Sequence, residues 1–281
     1  MDIVAGVNLF VGLFVDTFKQ FGRGRVWLLL LGYFLLNWLL LYAHYDFLSP
    51  LFYVCVSFWT GLFGGQQAVG FTHYPGHFML LPYFFGWAKF YLGLILEGAV
   101  LGAVALMFYG SFLDIPKEER STLRATLSSW IHLVFGWLLI NGLILLVSRE
   151  LPALLEPWLA GSPRRIQAFE FVVLPFSYVM ILALFFFVLP RVAVYRESFF
   201  KALKRGLRLF VRNPFTCFFL SLIIMVVPVF LSIIAGYSSG IVEKFRPELV
   251  YWLLLAGLVV DIFFNFFWMG TAVRFLIDEE T

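Results

Sequence analysis

The stretch Glu197-Ser-Phe-Phe-Lys-Ala-Leu-Lys-Arg-Gly-Leu-Arg-Leu-Phe-Val-Arg212 lies between two long apolar runs. Phe199, Phe200, Leu203, Leu207, Phe210 and Val211 recur at helical spacing, and Lys201, Lys204, Arg205, Arg208 and Arg212 recur at the same spacing on the other side. A helix of this kind lies in a membrane surface, its apolar face in the acyl boundary and its cations among lipid phosphates. The five cations are therefore the predicted headgroup-binding residues, and the runs on either side are predicted to cross a bilayer.

Composition agrees. The chain has 281 residues, 62% of them hydrophobic, 20% aromatic and only 13% charged. A soluble domain carries about 25% charged residues, and 36 Phe and 9 Trp would be hard to bury in a soluble fold of this length. The apolar runs approach the ~20 residues that a helix needs to cross. They are continuous and do not alternate, which argues against a transmembrane β-barrel. The predicted class is an all-α polytopic membrane protein. Asp2 near the start, with Lys19, Arg23 and Arg25 following the first apolar stretch, does not read as a cleaved signal.

Six spans are expected, at roughly 26–42, 87–109, 130–147, 169–189, 215–236 and 250–273. A seventh apolar stretch, 51–63, starts after Pro50 and is too short to cross, so it reads as interfacial or re-entrant. The segment His77–Gly86 carries Pro82 and reads as a half-helix leading into span two. Fourteen Lys and Arg fall on one side of the spans and five on the other, with Lys89 inside a span. The richer side is expected to be cytoplasmic, which puts both termini inside. Cys55 and Cys217 then lie on opposite sides and are expected to be free thiols.

A period emerges. Amphipathic segments precede the odd-numbered spans: Leu9–Phe21, Lys117–Ser128 and the quoted helix. Each even-numbered span ends alike, and an acidic residue (Glu118, Glu197 or Asp278) follows seven or eight positions later. The expected organisation is one transmembrane domain, 1–281, with repeat units at 4–110, 117–190 and 197–273, each a surface helix plus a helical hairpin.

The run Leu189-Pro190-Arg191-Val192-Ala193-Val194-Tyr195-Arg196-Glu197-Ser198-Phe199-Phe200-Lys201-Ala202-Leu203-Lys204-Arg205-Gly206 resembles a signature of uncharacterised bacterial polytopic membrane proteins. These are related to the membrane domain fused to some glycerophosphodiester phosphodiesterases. In them a span ends in Pro, an acidic residue follows, and a basic surface helix leads into the next span. The resemblance covers mainly residues 185–235. It implies a fold type and a bacterial inner-membrane location, and it carries no catalytic residues.

Intramembrane polar residues are the other candidates. Glu97 stands near the middle of span two, and a carboxylate at that depth costs about 2.5–3.5 kcal/mol on insertion scales. It therefore faces a cavity or another helix, as a substrate or proton site or as a hydrogen-bonded helix tie. Gly98 and Gly102 beside it form a small-xxx-small pair that lets a helix approach. Lys89, eight residues earlier, is about 12 Å away along the helix and is expected to snorkel to the outer interface. Asp261 and Asn265 share a face of span six, and with Glu97 they would line one polar cavity if spans two and six adjoin. His73 and His77 are weak metal candidates, with His44 and Asp46 from the same side. Zinc needs three or four ligands of known spacing, so no metal and no cofactor is predicted.

No GxSxG, HExxH, Walker A or Rossmann pattern is present. The leading expectation is a non-enzymatic protein whose surface helices bind anionic lipid, with a scaffolding or regulatory role and room for a membrane-protein partner. Nothing in the sequence suggests nucleic acid. The alternatives are a small transporter or channel using Glu97 and Asp261, and a membrane-embedded enzyme acting on lipid.

Overall fold

The computed structural model describes residues 3–46, 48–63, 74–115 and 122–279. Among them there is helix and no strand. Six helical segments are long and apolar enough to cross a membrane: Gly24–Tyr45, Gly76–Phe112, Trp130–Leu159, Pro163–Tyr195, Pro214–Gly236 and Leu249–Asp278. In chain order the helices are α1 (Ile3–Lys19), α2 (Gly24–Tyr45), α3 (Pro50–Phe63), α4 (Gly76–Phe112), α5 (Thr122–Ser128) and α6 (Trp130–Leu159). There follow α7 (Pro163–Ala168), a π-turn at Phe169–Val173, α8 (Leu174–Phe185), α9 (Val188–Tyr195), α10 (Phe199–Arg212), α11 (Pro214–Gly236), α12 (Ser238–Lys244) and α13 (Leu249–Asp278).

Several boundaries differ from the sequence reading. The expected half-helix before span two is not separate. Helix runs unbroken from Gly76 through Pro82 to Phe112, about 55 Å of rise against a hydrocarbon core of ~30 Å. Pro82 stands in the second turn, inside the helix, so the Phe78 carbonyl lacks its usual intrahelical donor while the helix continues. The third span reaches Leu159, twelve residues past its expected end, through Pro152 and Pro157. Gly161, at φ +90°, turns the chain there in a conformation that suits a residue without Cβ. Pro163 then opens the fourth span at a first-turn position.

The fourth span is a chain of short helices. Leu174 donates its N–H to the Phe169 carbonyl five residues back, in the wider π geometry. Pro175 follows at once and has no N–H to give, so the widened turn absorbs the missing bond. A second break comes at Phe186 and Phe187. There the indole Nε1 of Trp268 donates to the Phe186 carbonyl at 3.1 Å, satisfying an acceptor that the interrupted helix leaves open.

The chain divides into two compact units. The first comprises residues 1–30, 94–226 and 263–281. Its core is built on Phe108, Phe169, Phe186, Phe187, Phe266 and Phe275, all under 3% exposed. Helix α1 packs here on the end of α13 through Leu13 and Thr17, with Phe14 stacked on Phe267 at 4.6 Å. The approach requires Gly270, because a Cβ there would meet the Thr17 side chain.

The second unit comprises 31–93 and 227–262. Its core gathers Leu41, Phe52, Trp59, Phe78, Phe84, Val250 and Leu258. The seventh apolar stretch is helix α3, 14 residues long and so about 21 Å, short of a crossing. Ser49 caps it, with the Leu51 N–H donating to Ser49 Oγ at 3.3 Å. Phe52 and Trp59 point into the core, while Tyr53, Val54 and Phe58 are exposed. Cys55 and Cys217 are free thiols.

Candidate functional site

Helix α10 divides its surface three ways. Ala202, Gly206 and Leu209 are buried. Gly206 lies over Phe187 and Val188, where an added Cβ would stand 3.6 Å from both side chains. Phe199, Leu203, Leu207 and Phe210 are half-buried beside this strip. Phe200 and Val211 are exposed, 78% and 73%, and beyond them Lys201, Lys204, Arg205, Arg208 and Arg212 face outward. The sequence reading gave the helix two faces. The structure gives it a third, and the small residues between the apolar and basic stripes are what seat it on the protein.

The cations are not equivalent. Arg205 Nη1 pairs with Glu197, and Arg212 lies 3.8 Å from Glu279. Among the described residues Lys201, Lys204 and Arg208 make no ion pair.

Glu197 is the anchor beneath this helix. Arg196 takes left-handed backbone, φ +51°, and ends α9. That conformation is unusual for a residue with a Cβ, and it swings Glu197 back onto the span it has just left. Glu197 is 5% exposed. Arg191 donates to both its oxygens, from Nε at 3.2 Å and from Nη2 at 3.0 Å, and lies over the Tyr195 ring at 4.9 Å. Burial raises the Glu197 carboxyl, but hydrogen bonds and charge from Arg191 and then Arg205 outweigh it and hold the group below the usual carboxylate range. In the sequence Arg191 bears on topology and Glu197 on the repeat, and neither role joins them into a site. The available signal was an Arg within two residues of a span end, followed six later by the only acid before a basic helix.

A second ion-pair group lies at the end of α13. Arg274 reaches Asp16 at 3.2 Å and Asp278 at 3.1 Å, and Lys19 reaches Asp16 at 2.8 Å. The hydrogen bond from Lys19, foremost, with the charge of Arg274, lowers the Asp16 carboxyl against a smaller effect of burial.

The intramembrane candidates sort into two pairs. In the first unit, Asn265 Nδ2 lies 3.5 Å from Glu97 Oε1, at the limit of a hydrogen bond. Asn265 is buried and Glu97 half-buried. In the second unit, Lys89 Nζ pairs with Asp261. Both side chains are about one-third exposed, 32% and 30%. Lys89, expected to snorkel, has its ammonium held by a carboxylate of span six. Asp261 and Asn265 share a helix face as expected, but each meets a different residue of α4.

No protein family, curated protein or solved structure matches the chain.

His44 and His77 are buried side chains. His44 is 1% exposed, with Nδ1 2.8 Å from the Leu40 carbonyl and Nε2 accepting from Trp59 Nε1 at 2.9 Å. His77 is also 1% exposed, its ring centroid 3.9 Å from that of Phe78. Asp46 accepts from the Tyr42 hydroxyl at 2.9 Å. Among the described residues no three His, Cys, Asp or Glu side chains gather to hold a metal. His73 lies outside the described residues, as do Lys117, Glu118 and Arg120 of the second amphipathic segment.

Proposed function

We propose that this chain is a non-enzymatic multi-pass protein of the bacterial inner membrane, with both termini cytoplasmic, that binds anionic lipid through helix α10 and so organises or regulates a membrane complex. One observation carries this reading: Lys201, Lys204 and Arg208 stand exposed without an ion pair among the described residues, beside the exposed Phe200 and Val211, on a helix whose third side is fixed to the protein. Cations next to large apolar side chains suit a headgroup layer lying over an acyl boundary. The resemblance of residues 185–235 to bacterial inner-membrane proteins agrees in location. We read the order surface helix, span, span three times along the chain, with the short helices α3 and α12 between the spans of the first and third units, and α4 and α9 are each followed or ended by a left-handed residue, Asp114 and Arg196. We read these as the repeat units 4–110, 117–190 and 197–273.

The test is lipid selectivity. The protein is reconstituted in nanodiscs of mixed phosphatidylglycerol and phosphatidylcholine, and the lipid retained around it is measured. Wild type is expected to enrich phosphatidylglycerol. Lys201→Gln, Lys204→Gln and Arg208→Gln together should remove most of that preference, at about 1 kcal/mol per cation. An unchanged ratio would sink the reading. Arg205 is left in place because it serves Glu197.

A second reading, a small transporter or channel, draws on the Lys89–Asp261 pair. Opposite charges within apolar spans are costly and mark ion or substrate paths in many membrane proteins. Proton or cation flux into vesicles that disappears with Asp261→Asn would favour it over the first.

A further inference from the structure

Two hollows open side by side at the start of α2, with volumes of about 340 and 390 Å³. They share Gly24, Arg25, Met107 and Thr122, so they form one cleft. Its size falls in the range of small-molecule sites, about 300–1,000 Å³. The cleft is graded in polarity. One end carries Gln20, Arg23 and Ser111 beside Val26 and Phe108, while Arg25 and Thr122 line both ends. The other carries Leu28, Leu29 and Ala103, with Met107 between.

The gradient runs along the spans. Leu28 and Leu29 lie about one turn inward from Arg25 on α2, and Ala103 lies two turns inward from Ser111 on α4. Ser111 Oγ donates to Gln20 Oε1 at 2.7 Å and so ties the polar end together. Arg23 and Arg25 are exposed and make no ion pair among the described residues. Gly24 and Arg25, in the first turn of α2, also line this end, so the positive end of the helix dipole lies there. Two guanidiniums suit a phosphate ester, which they grip through paired N–H donors. The apolar floor one turn deeper suits a hydrocarbon chain entering from the same side.

We infer that this cleft binds the phosphate of one anionic phospholipid, with Arg23 and Arg25 on the headgroup and an acyl chain along Leu28, Leu29, Ala103 and Met107. It rests on the proposed lipid reading only for the class of ligand. The residues are different, and the stoichiometry is one lipid per chain instead of an annular preference.

The experiment titrates short-chain dihexanoyl phosphatidic acid into the full-length protein in a non-ionic detergent, read by native mass spectrometry. Dihexanoyl phosphatidylcholine, glycerol 3-phosphate and inorganic phosphate are run in parallel. The expected result is one phosphatidic acid per chain, bound roughly tenfold or more tighter than phosphatidylcholine. Arg23→Gln with Arg25→Gln abolishes that preference, Arg23→Lys with Arg25→Lys retains part of it, and the α10 triple variant leaves it unchanged. Equal binding of the two lipids, or no effect of the Arg23/Arg25 change, overturns the inference. Glycerol 3-phosphate binding as tightly as phosphatidic acid also overturns it, because the occupant is then a free phosphate ester. Loss of binding in the α10 variant alone overturns it too while upholding the role proposed for α10. An anionic preference that survives both sets of changes defeats both.

Discussion

Glu197 shows how one residue can set the position of a whole helix. It sits between a buried guanidinium, Arg191, and an exposed one, Arg205. Removing one partner of a buried pair costs about 3–5 kcal/mol, because the other charge is left in a poor solvent. Glu197→Gln is therefore expected to lower the thermal midpoint in detergent markedly at neutral pH, strongly enough to see by differential scanning fluorimetry. The pH dependence has a definite sign. The folded-state carboxyl titrates below its ordinary value, so the stabilisation is present above the unfolded glutamate pKa, about 4.3, and is lost as pH falls through the folded value. Wild type should lose stability on acidification through that window, and Glu197→Gln should lose less. Lys89 and Asp261 invite a double-mutant cycle. Lys89→Met and Asp261→Leu should each destabilise, and the double variant should cost less than their sum by about 0.5–3 kcal/mol. A strictly additive cycle would mean that the pair carries no coupling.

At the scale of elements, close approach of helices decides the contacts of α4. A Cβ on Gly98 would fall 2.9 Å from the Leu133 carbonyl oxygen and 3.1 Å from its carbon, both backbone atoms that cannot turn aside. At Gly102 the obstacle is the end of the Leu133 side chain, 2.7 Å away, which can rotate. Gly98→Ala should therefore cost about 1–3 kcal/mol by overpacking, and Gly102→Ala less. Gly32→Ala, with nothing within 4 Å of its new methyl, should be neutral or slightly stabilising through helix propensity. Equal midpoints for Gly98→Ala and Gly32→Ala would contradict the backbone contact. The small-xxx-small spacing made this approach readable in the sequence. Its partner was not readable, because Leu133 looks like any other apolar residue of a span. The same limit explains α10: periodicity separates its apolar and basic stripes, but Ala202 and Gly206 carry little hydropathy, so the strip that seats the helix is silent.

For the whole molecule, the surplus of Lys and Arg on one side of the spans predicts that both ends of the chain face the cytoplasm. A C-terminal green fluorescent protein fusion should fluoresce in cells, and a C-terminal alkaline phosphatase fusion should be inactive. The opposite pair of results would invert the topology. Six spans, their approximate positions and the short helix at residues 50–63 were all legible, because the length and continuity of an apolar run are properties of the chain itself. Extensions such as Trp130–Leu159 were not, since prolines that would stop a soluble helix are accommodated in this one.

The sequence by itself determined the class, the number of crossings, the basic helix after span four and the small residues that permit close contact. These follow from hydropathy, length and local spacing, which act between residues near one another in the chain. Only the tertiary structure decided which polar side chains meet: Lys89 with Asp261 across 172 positions, Asp16 with Arg274 and Asn265 with Glu97. It also decided that Arg205 answers to Glu197 while Lys201, Lys204 and Arg208 stay outward. Partner choice of this kind depends on which helix faces which. That is settled by the packing of whole apolar surfaces and leaves no local mark on the residues that are finally brought together.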